Sequence, residues 1–426
     1  MLKNYSLFKQ LPVKKYFAKC CVGFSYGLSF PLTLTVLDLW LKDFGVSNTT
    51  IGIFSLFHWP FTLKFMCGIF IENYDIAYFS QKIGRERSWI IVSHFILIAG
   101  IIGMANSNPS SGLQTLIFFA TLTALGDGCK NIVLYPYQIN GINKNQFGYV
   151  ASVVGFGHKI GIITTKVLAL YLANIFGWKV AYYVAAVSIF LLMIMILFIQ
   201  PPQKYQKPKR NLSFSDSVEK SLTIPFKKII EKKDGLYIVL VLSLYKSADF
   251  MMQKMSRLFL MEIGFSKIEM ANIVQLFGSI AAIVGGLTGG YIIKKIGIPK
   301  AMIYFGNGHA ISFFSYLIFT KIGANVSFLS LVILGEAFTG GCVTSAFLAF
   351  LYTKCKTGSL YALLWAFHEM NGIFFMGISG IIADGVGWRL YFTLVPVIYS
   401  IVLAILWGMQ RRISLKHLIS FVVSKR

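Results

Sequence analysis

Acidic residues are scarce in this sequence, which has 16 Asp and Glu against 40 Lys and Arg in 426 residues. Charged residues of both signs make up only 13% of the chain, whereas about a quarter is usual in a soluble domain. Hydrophobic residues make up 56%, and the mean hydropathy is +0.68. This composition excludes a soluble globular protein and indicates one built almost entirely of membrane-crossing segments.

Motifs for chemistry on a substrate are also missing. The histidines are scattered, and there is no H-E-x-x-H zinc motif, no nucleophile elbow and no P-loop. The cysteines include no CxxC pair, so we expect packed thiols rather than disulfides or metal ligands. The sequence therefore predicts neither an enzyme nor a cofactor or metal site.

Long apolar stretches recur along the whole chain, and each could cross the ~30 Å hydrocarbon layer of a bilayer. We predict twelve spans, at 20–41, 51–72, 88–106, 113–139, 147–173, 179–200, 236–261, 268–293, 300–320, 326–352, 359–383 and 389–409. The longest loop is polar and basic and separates six spans from six. The sequence thus predicts an all-α polytopic membrane protein with an N-terminal bundle in 1–200, a linker in 201–235 and a C-terminal bundle in 236–426. Two such halves are the layout of the major facilitator superfamily, whose substrate site lies between them near the midplane.

The basic residues fall into alternating loops. Of the 40 Lys and Arg, 28 lie in the two tails and in the loops assigned to one side of the membrane, and five in the loops of the other side. By the positive-inside rule, both termini are expected in the cytoplasm. The formal charge of +24 then reflects membrane topology and attraction to anionic lipid, and predicts no nucleic-acid partner.

The segment "LYKSADFMMQKMSRLFL" (244–260) places four charges inside the seventh span. Lys246, Asp249, Gln253 and Arg257 are three or four residues apart and form one stripe of a helix. A central Lys, Arg or Asp costs about 2.5–3.5 kcal/mol in a lipid-facing helix, so this stripe needs protein or water beside it. We expect Lys246 and Asp249 to form a pair that faces a cavity. Lys254 lies off the stripe and is expected to snorkel to the interface.

Other spans also carry charges. They are Asp38 in span one, Lys64 in span two, Asp127 and Lys130 in span four, Lys159 and Lys166 in span five, Glu336 in span ten, and Glu369 in span eleven. Basic residues outnumber acidic ones within the spans, which favours anionic solutes, and the acidic residues are candidates for protonation. The alternative is that several of these charges are paired and serve only the structure. His58, His94 and His309 stand alone on apolar helices and are expected to be hydrogen-bonded packing residues.

Four stretches resemble the AmpG-type muropeptide permeases of the major facilitator superfamily. They are "IGIFSLFHWPFTLKFMCGIFIENY" (51–74), "LYKSADF" (244–250), "GEAFTGGCVTSAFLAFL" (335–351), and "YALLWAF" with the later "GWRLYF". The second is similar to the family's L-Y-K-x-x-D-x motif, and the third to its E-N-x-x-G-G-x-x-T-S-A-F motif. The likeness covers roughly residues 20 to 405.

The resemblance implies a proton-driven importer of cell-wall fragments in a bacterial inner membrane, which we expect to act as a monomer. The fragments carry carboxylates, so lysines are expected to meet them. The expected solute-binding residues are Lys64, Lys130, Lys159, Lys246, Gln253, Thr344 and Ser345, and the expected proton-coupling residues are Asp127, Asp249 and Glu336.

The fourth span departs from the family pattern S-x-D-I-V-x-D-A-x-x-x-D. Here it reads "CKNIVLYPYQIN", with Asn131, Tyr135 and Asn140 where acids are expected and with Lys130 added. Span five has Lys159 where the family has arginine. Two alternatives therefore stay open beside the muropeptide importer. One is a transporter or exchanger of other organic anions, and the other is a transport-inactive membrane sensor.

Overall fold

The computed structural model describes residues 13–62, 64, 67, 71, 76–139, 147–199, 227, 231, 234–354 and 358–423. Within these residues the regular structure is entirely helical, and no strand occurs. The five cysteines described are free thiols, and the sulfur atoms of Cys67 and Cys129 lie 2.8 Å apart. The all-α prediction is confirmed.

Nine helical segments of the described chain are long and apolar enough to cross a membrane. They are Tyr16–Asp43, Arg85–Asn106, Gln114–Tyr135, Ser152–Phe176, Trp178–Phe198, Gly235–Glu262, Lys267–Ile296, Val326–Lys354 and Leu363–Arg411. The last contains a non-helical residue, Gly387, and corresponds to two predicted spans. The second predicted span lies partly outside the described residues, and the ninth consists of two shorter helices. These nine segments therefore agree with the twelve-span prediction.

Several spans consist of more than one helix. In the first half the helices are Val13–Ser29, Thr35–Asp43, Asn48–Phe54, Trp59–Thr62, Ala77–Ile83, Arg85–Asn106, Gln114–Ile139, Phe147–Phe176 and Trp178–Ile199. In the second half they are Gly235–Leu244, Ser247–Glu262, Lys267–Glu269 with the π-helix Met270–Phe277, Gly278–Ile296, Ile298–Phe313, Tyr316–Ile322, Val326–Lys354 and Gly358–Val423.

Proline and glycine explain some of these boundaries. Pro31 follows Ser29 closely and has no backbone N–H to donate, so the first span passes through a 3-10 turn at Phe30–Thr33. Gly297 and Gly387 adopt φ angles of 81° and 74°, which a residue with a Cβ rarely adopts. Each glycine lets one helix end and the next begin immediately.

The chain divides into two compact units. One comprises Met1–Phe44 and Phe57–Asn211, and the other comprises Gly45–Leu56 and Leu212–Arg426. The predicted linker, 201–235, lies almost entirely outside the described residues. The assignment of Gly45–Leu56 to the second unit was not predicted from the sequence. It follows from contacts with Asp384, whose carboxylate accepts hydrogen bonds from the Asn48 side chain and the Thr49 N–H, both at 2.7 Å.

Close helix packing holds each unit together. In the first unit, Gly23 and Gly27 let the first helix approach the fifth span so closely that a Cβ would collide with backbone carbonyls of Val154 and His158. In the second unit, Gly285 of the eighth span meets the Phe338 carbonyl of the tenth in the same way. Small residues that allow backbones to approach are a common means of helix association in membranes.

Candidate functional site

The seventh span is broken at its charged stretch. Its helix stops at Leu244 and resumes at Ser247, so that Tyr245 and Lys246 form the junction. A break frees backbone groups that lipid cannot satisfy. Here the Tyr399 hydroxyl donates a hydrogen bond of 2.7 Å to the Tyr245 carbonyl, and the Tyr245 hydroxyl donates to Met302 at 3.0 Å. Neighbouring spans thus stabilise the break and fix Lys246 at its centre.

Asp249 collects the polar groups around this junction. The Lys246 ammonium lies 3.0 Å from Asp249 Oδ2, and Gln253 Nε2 donates to Asp249 Oδ1 at 2.8 Å. Lys246 also donates to the Thr344 hydroxyl of the tenth span at 3.1 Å. The Asp249 residue is only 2% exposed, whereas Gln253 is exposed and the Lys246 side chain retains 12% of its surface. The carboxylate is therefore buried behind polar groups that solvent or a solute can reach.

His309 of the ninth span completes this cluster, although the sequence indicated only a packing residue. Its Nε2 lies 3.2 Å from Asp249 Oδ1, and its Nδ1 lies 2.8 Å from the Thr339 hydroxyl. The residue is buried and hydrogen-bonded, as expected. A lone histidine on an apolar helix nevertheless carries no pattern that reveals which partner it has on another span. His58 and His94 do have packing roles, with hydrogen-bond partners at Thr33 and the Ile90 carbonyl.

Glu336 and Ser345 lie on the same tenth span as Thr339 and Thr344 but have other partners. The Glu336 carboxylate is buried and accepts a short hydrogen bond from the Tyr316 hydroxyl. The Ser345 hydroxyl donates to the Gly286 carbonyl at 2.7 Å, which ties the tenth span to the eighth. Of the predicted residues in this unit, the structure brings Lys246, Asp249, Gln253 and Thr344 together.

The first unit contains a second buried ion pair. The Lys130 ammonium lies 2.7 Å from Asp127 Oδ1 and donates to the Ser25 carbonyl at 2.7 Å. It also donates to the Ser29 hydroxyl. Lys130 has no exposed surface and Asp127 has 2%. The hydrogen bonds of this pair connect the fourth span to the first. Contact between Lys130 and a solute stays a prediction, and it would require another conformation.

The other predicted residues of this unit are more accessible. Lys64 is half-buried, with its ammonium 4.4 Å from the centre of the Phe61 ring, and Lys159 is exposed. At the positions where the family has acids, the Asn131 carbonyl accepts a hydrogen bond from Tyr26, and Tyr135 is 57% exposed. Asn140 lies outside the described residues.

The position of the Lys254 side chain contradicts an expectation from the sequence. The sequence predicted that this side chain would snorkel to the membrane interface, but the residue is 2% exposed. Its ammonium donates to the Ser55 hydroxyl at 2.7 Å. Ser55 is buried on the segment Gly45–Leu56, which belongs to the same unit. The prediction was wrong because it considered only the stripe of its own helix.

The described part of the chain holds no group of three or more His, Cys, Asp or Glu residues placed to bind a metal ion. It offers instead buried carboxylates next to ammonium groups within membrane spans. Charged side chains at membrane depth are costly and commonly mark the path of an ion or solute.

Comparison with known proteins identifies the family. A family model for the Major Facilitator Superfamily matches residues 19–368, so the chain belongs to that superfamily. It is 26% identical over 386 residues to the AmpG 1 protein of Rickettsia bellii, covering 88% of this chain and 93% of that protein. It is 25% identical over 377 residues to the anhydromuropeptide permease of Escherichia coli K12, and the match covers 87% of this chain and 74% of that protein. The similarity to these two proteins supports an AmpG-type member of the superfamily.

Solved structures show the same fold. A crystal structure of a POT family transporter with a thioalcohol-conjugated peptide superposes with a TM-score of 0.70 at 12% identity, covering 94% of this chain and 96% of that one. The nucleoside transporter NupG superposes with a TM-score of 0.62 at 13% identity, and the match covers 93% of this chain and 99% of that one. The superfamily match over residues 19–368 and the permease relatives, together with this fold, make the protein a multi-pass membrane transporter and not an enzyme.

Proposed function

We propose that this transporter imports anionic cell-wall muropeptides into a bacterial cell together with protons, by alternating access, as a monomer in the inner membrane. The observation that carries the proposal is the Lys246–Asp249 pair at the broken seventh span, with an exposed Gln253 beside it. The permease of Escherichia coli to which the chain is similar is named for anhydromuropeptides, and this supports the choice of solute.

The chemistry of the solute fits this cluster. Muropeptides carry carboxylates, and a partly exposed ammonium is a suitable partner for a carboxylate when hydrogen-bond donors flank it. We assign the direct contacts in the second unit to Lys246, Gln253 and Thr344. Lys64 and Lys159 supply accessible cations in the first unit, while Lys130 and Ser345 remain proposed contacts that are engaged elsewhere in this conformation.

Proton coupling requires a buried group whose charge can change. We assign this role to the cluster around Asp249 and to Glu336, both of which are buried in membrane spans. Asp127 is a further candidate in the first unit. A titratable group at such a site responds both to burial, which disfavours its charged form, and to the charges beside it. Binding of an anion changes the charge balance of the cluster, and this is the physical basis for coupling.

One observation favours a second candidate function. Asn131, Tyr135 and Asn140 occupy positions where the family pattern has acids, and Lys130 is held in an internal ion pair. A cavity with fewer acids suits a different organic anion, transported by uptake or exchange. The same missing acids also suit a sensor that binds a solute without transporting it.

The deciding experiment measures uptake of labelled anhydromuropeptide by cells that lack their own permease, with and without a protonophore. Uptake that stops with the protonophore supports the proposed function. Uptake that the protonophore leaves unchanged argues for exchange. Absence of uptake, with the protein verified in the membrane, contradicts the muropeptide proposal and favours another solute or a sensor.

Substitutions in the cluster give a sharper prediction. Asp249→Asn and Lys246→Ala should each reduce uptake by about tenfold or more, because each removes one charge of a pair at the solute-binding junction. Membrane insertion should persist, as shown by the amount of protein in the membrane fraction. Lys321→Ala is the matched control, since Lys321 is an exposed lysine far from the cluster in sequence, and it should transport normally. Normal uptake by both cluster variants would refute the assignment.

A further inference from the structure

His309 occupies a prepared position between two helices. It is 1% exposed, with its ring against Phe313 at a centroid distance of 4.3 Å. Gly340 of the tenth span faces the ring, and a Cβ added at Gly340 would lie 3.1 Å from His309 Cε1. Each ring nitrogen has a polar partner, Thr339 at Nδ1 and Asp249 at Nε2. The surroundings therefore fix both the position and the orientation of the imidazole.

Thr339 can serve Nδ1 in either role. Its hydroxyl has one hydrogen and lies 2.9 Å from both the Gly335 and Glu336 carbonyls, as well as 2.8 Å from the ring nitrogen. When the hydrogen goes to a carbonyl, the hydroxyl accepts from an Nδ1–H, and when it goes to the ring, a bare Nδ1 accepts it. The adjacent Ser312 hydroxyl donates to the His309 carbonyl at 2.7 Å. The same hydroxyl therefore satisfies Nδ1 with or without a proton.

Asp249 determines the state of the other nitrogen. Its Oδ2 faces the Lys246 ammonium at 3.0 Å, and its Oδ1 already accepts from Gln253 at 2.8 Å. A carboxylate with two such donors is held in its ionised, acceptor-only form. Nε2 of His309 therefore donates to this carboxylate. The ring is neutral when Nδ1 accepts from Thr339 and is an imidazolium when Nδ1 donates to it, so the same partners accommodate both states.

Charged and titratable groups around this ring come from several spans. The seventh span contributes Asp249 and Lys246, and the tenth contributes Glu336, on which His309 and Arg257 both act electrostatically. His368 of the eleventh span is linked to the cluster through Lys246 and Asp249, which act on it electrostatically. Lys246 and Asp249 compensate each other, so among Lys246, Asp249 and His309 the histidine decides the net charge.

We infer that the proton bound and released by this cluster is carried by His309, with Asp249 as its permanent counterion. The inference rests on the proposed proton-coupled function and places its proton on a specific group. On loading, the neutral ring accepts one proton and forms a second N–H bond. On release that N–H bond breaks, while Asp249 remains a carboxylate and Lys246 an ammonium.

This location of the proton explains how an anion and a proton can be coupled. Counting Lys246, Asp249 and His309, the cluster is neutral without the proton and carries one positive charge with it. An anionic solute therefore binds better to the protonated cluster, and by thermodynamic linkage the bound anion strengthens proton binding to the same extent. The coupling requires a group that can change its charge, which a glutamine at position 309 cannot do.

The test compares two transport modes of purified protein in liposomes, using anhydromuropeptide as the probe. Accumulation driven by a pH gradient requires the proton to be taken up and released, whereas exchange of internal for external solute at equal pH does not. His309→Gln keeps a side chain that can hydrogen-bond to both Asp249 and Thr339. It should lower accumulation by about tenfold or more while exchange stays close to the wild-type rate.

His58→Gln is the matched control. His58 is also a buried histidine, 3% exposed, and its Nδ1 lies 3.0 Å from the Thr33 hydroxyl. This variant should keep both accumulation and exchange. Normal accumulation by His309→Gln, or loss of its exchange in folded protein, would overturn the inference. If the wild-type protein shows neither accumulation nor exchange, the proposed function itself fails and the inference fails with it.

Discussion

Asp127 and Lys130 show, at the scale of single residues, how formal charges are kept within a membrane span. They lie one helical turn apart with 2.7 Å between carboxylate and ammonium, and neither has more than 2% of its surface exposed. Removing one partner of a buried ion pair leaves the other charge uncompensated, whereas replacing both by apolar groups of similar size is often neutral. The two cases can be separated by mutation.

Asp127→Ala should destabilise the protein by about 3–5 kcal/mol, because it leaves the Lys130 ammonium buried without its carboxylate. The double substitution Asp127→Ala with Lys130→Met should recover most of that loss. Thermal unfolding of the three proteins in detergent measures the effect. If the double variant is as unstable as the single one, the hydrogen bonds of Lys130 to Ser25 and Ser29 matter more than the charge of the pair.

Individual residues also show what sequence patterns can predict. The pairing of Lys246 with Asp249 follows from their spacing on one helix, and the structure shows the two groups in contact. Lys254 and His309 could not be understood in this way, since their partners, Ser55 and Asp249, come from distant parts of the chain. Helical periodicity reports which residues share a face, but not which other helix that face meets.

At the scale of helices, the sequence predicts where spans lie better than how they are interrupted. The break at Tyr245 and Lys246 contains neither proline nor glycine. Its backbone is satisfied by Tyr399, a residue of the last span, so no local signal marks it. The break at Phe30–Thr33, in contrast, contains Pro31 and has a local cause.

Packing between the eighth and tenth spans leads to a prediction for a whole element. Gly285→Ala should destabilise the second unit by about 1–3 kcal/mol, because the added Cβ meets the Phe338 carbonyl and must push the two helices apart. Gly290→Ala is the control on the same helix, where a Cβ would have no neighbour within 4 Å. Alanine there should be neutral or slightly stabilising, since alanine has the higher helix propensity.

Unfolding temperatures and expression levels in detergent distinguish these two glycine variants. A large loss of stability for Gly285→Ala alone supports close backbone packing between the two spans. Equal behaviour of both variants would mean that the helices can separate at little cost. Ser345, whose hydroxyl donates to the Gly286 carbonyl across the same contact, would then carry more of the packing.

For the whole molecule, composition and hydropathy sufficed to predict the fold class, and the family match confirms it. The reason is physical, because a bilayer admits few spanning structures and each helix must provide an apolar stretch of its own. The grouping of Gly45–Leu56 with the second unit could not be predicted, since it depends on how Asp384 meets Asn48 and Thr49. Tertiary contacts of this kind leave no periodic signal in a single sequence.

The orientation of the whole protein in the membrane is the last prediction. Most Lys and Arg residues lie in the tails and in loops on one predicted side, including nine within 201–235, so both termini and this loop should face the cytoplasm. Green fluorescent protein fused after Arg426 should therefore fluoresce. Alkaline phosphatase, which needs disulfides and an oxidising compartment, should be active when inserted between Asn106 and Gln114 and inactive within 201–235. The opposite pattern would show that the charge distribution does not set the topology here, and import would have to be redefined for every assay above.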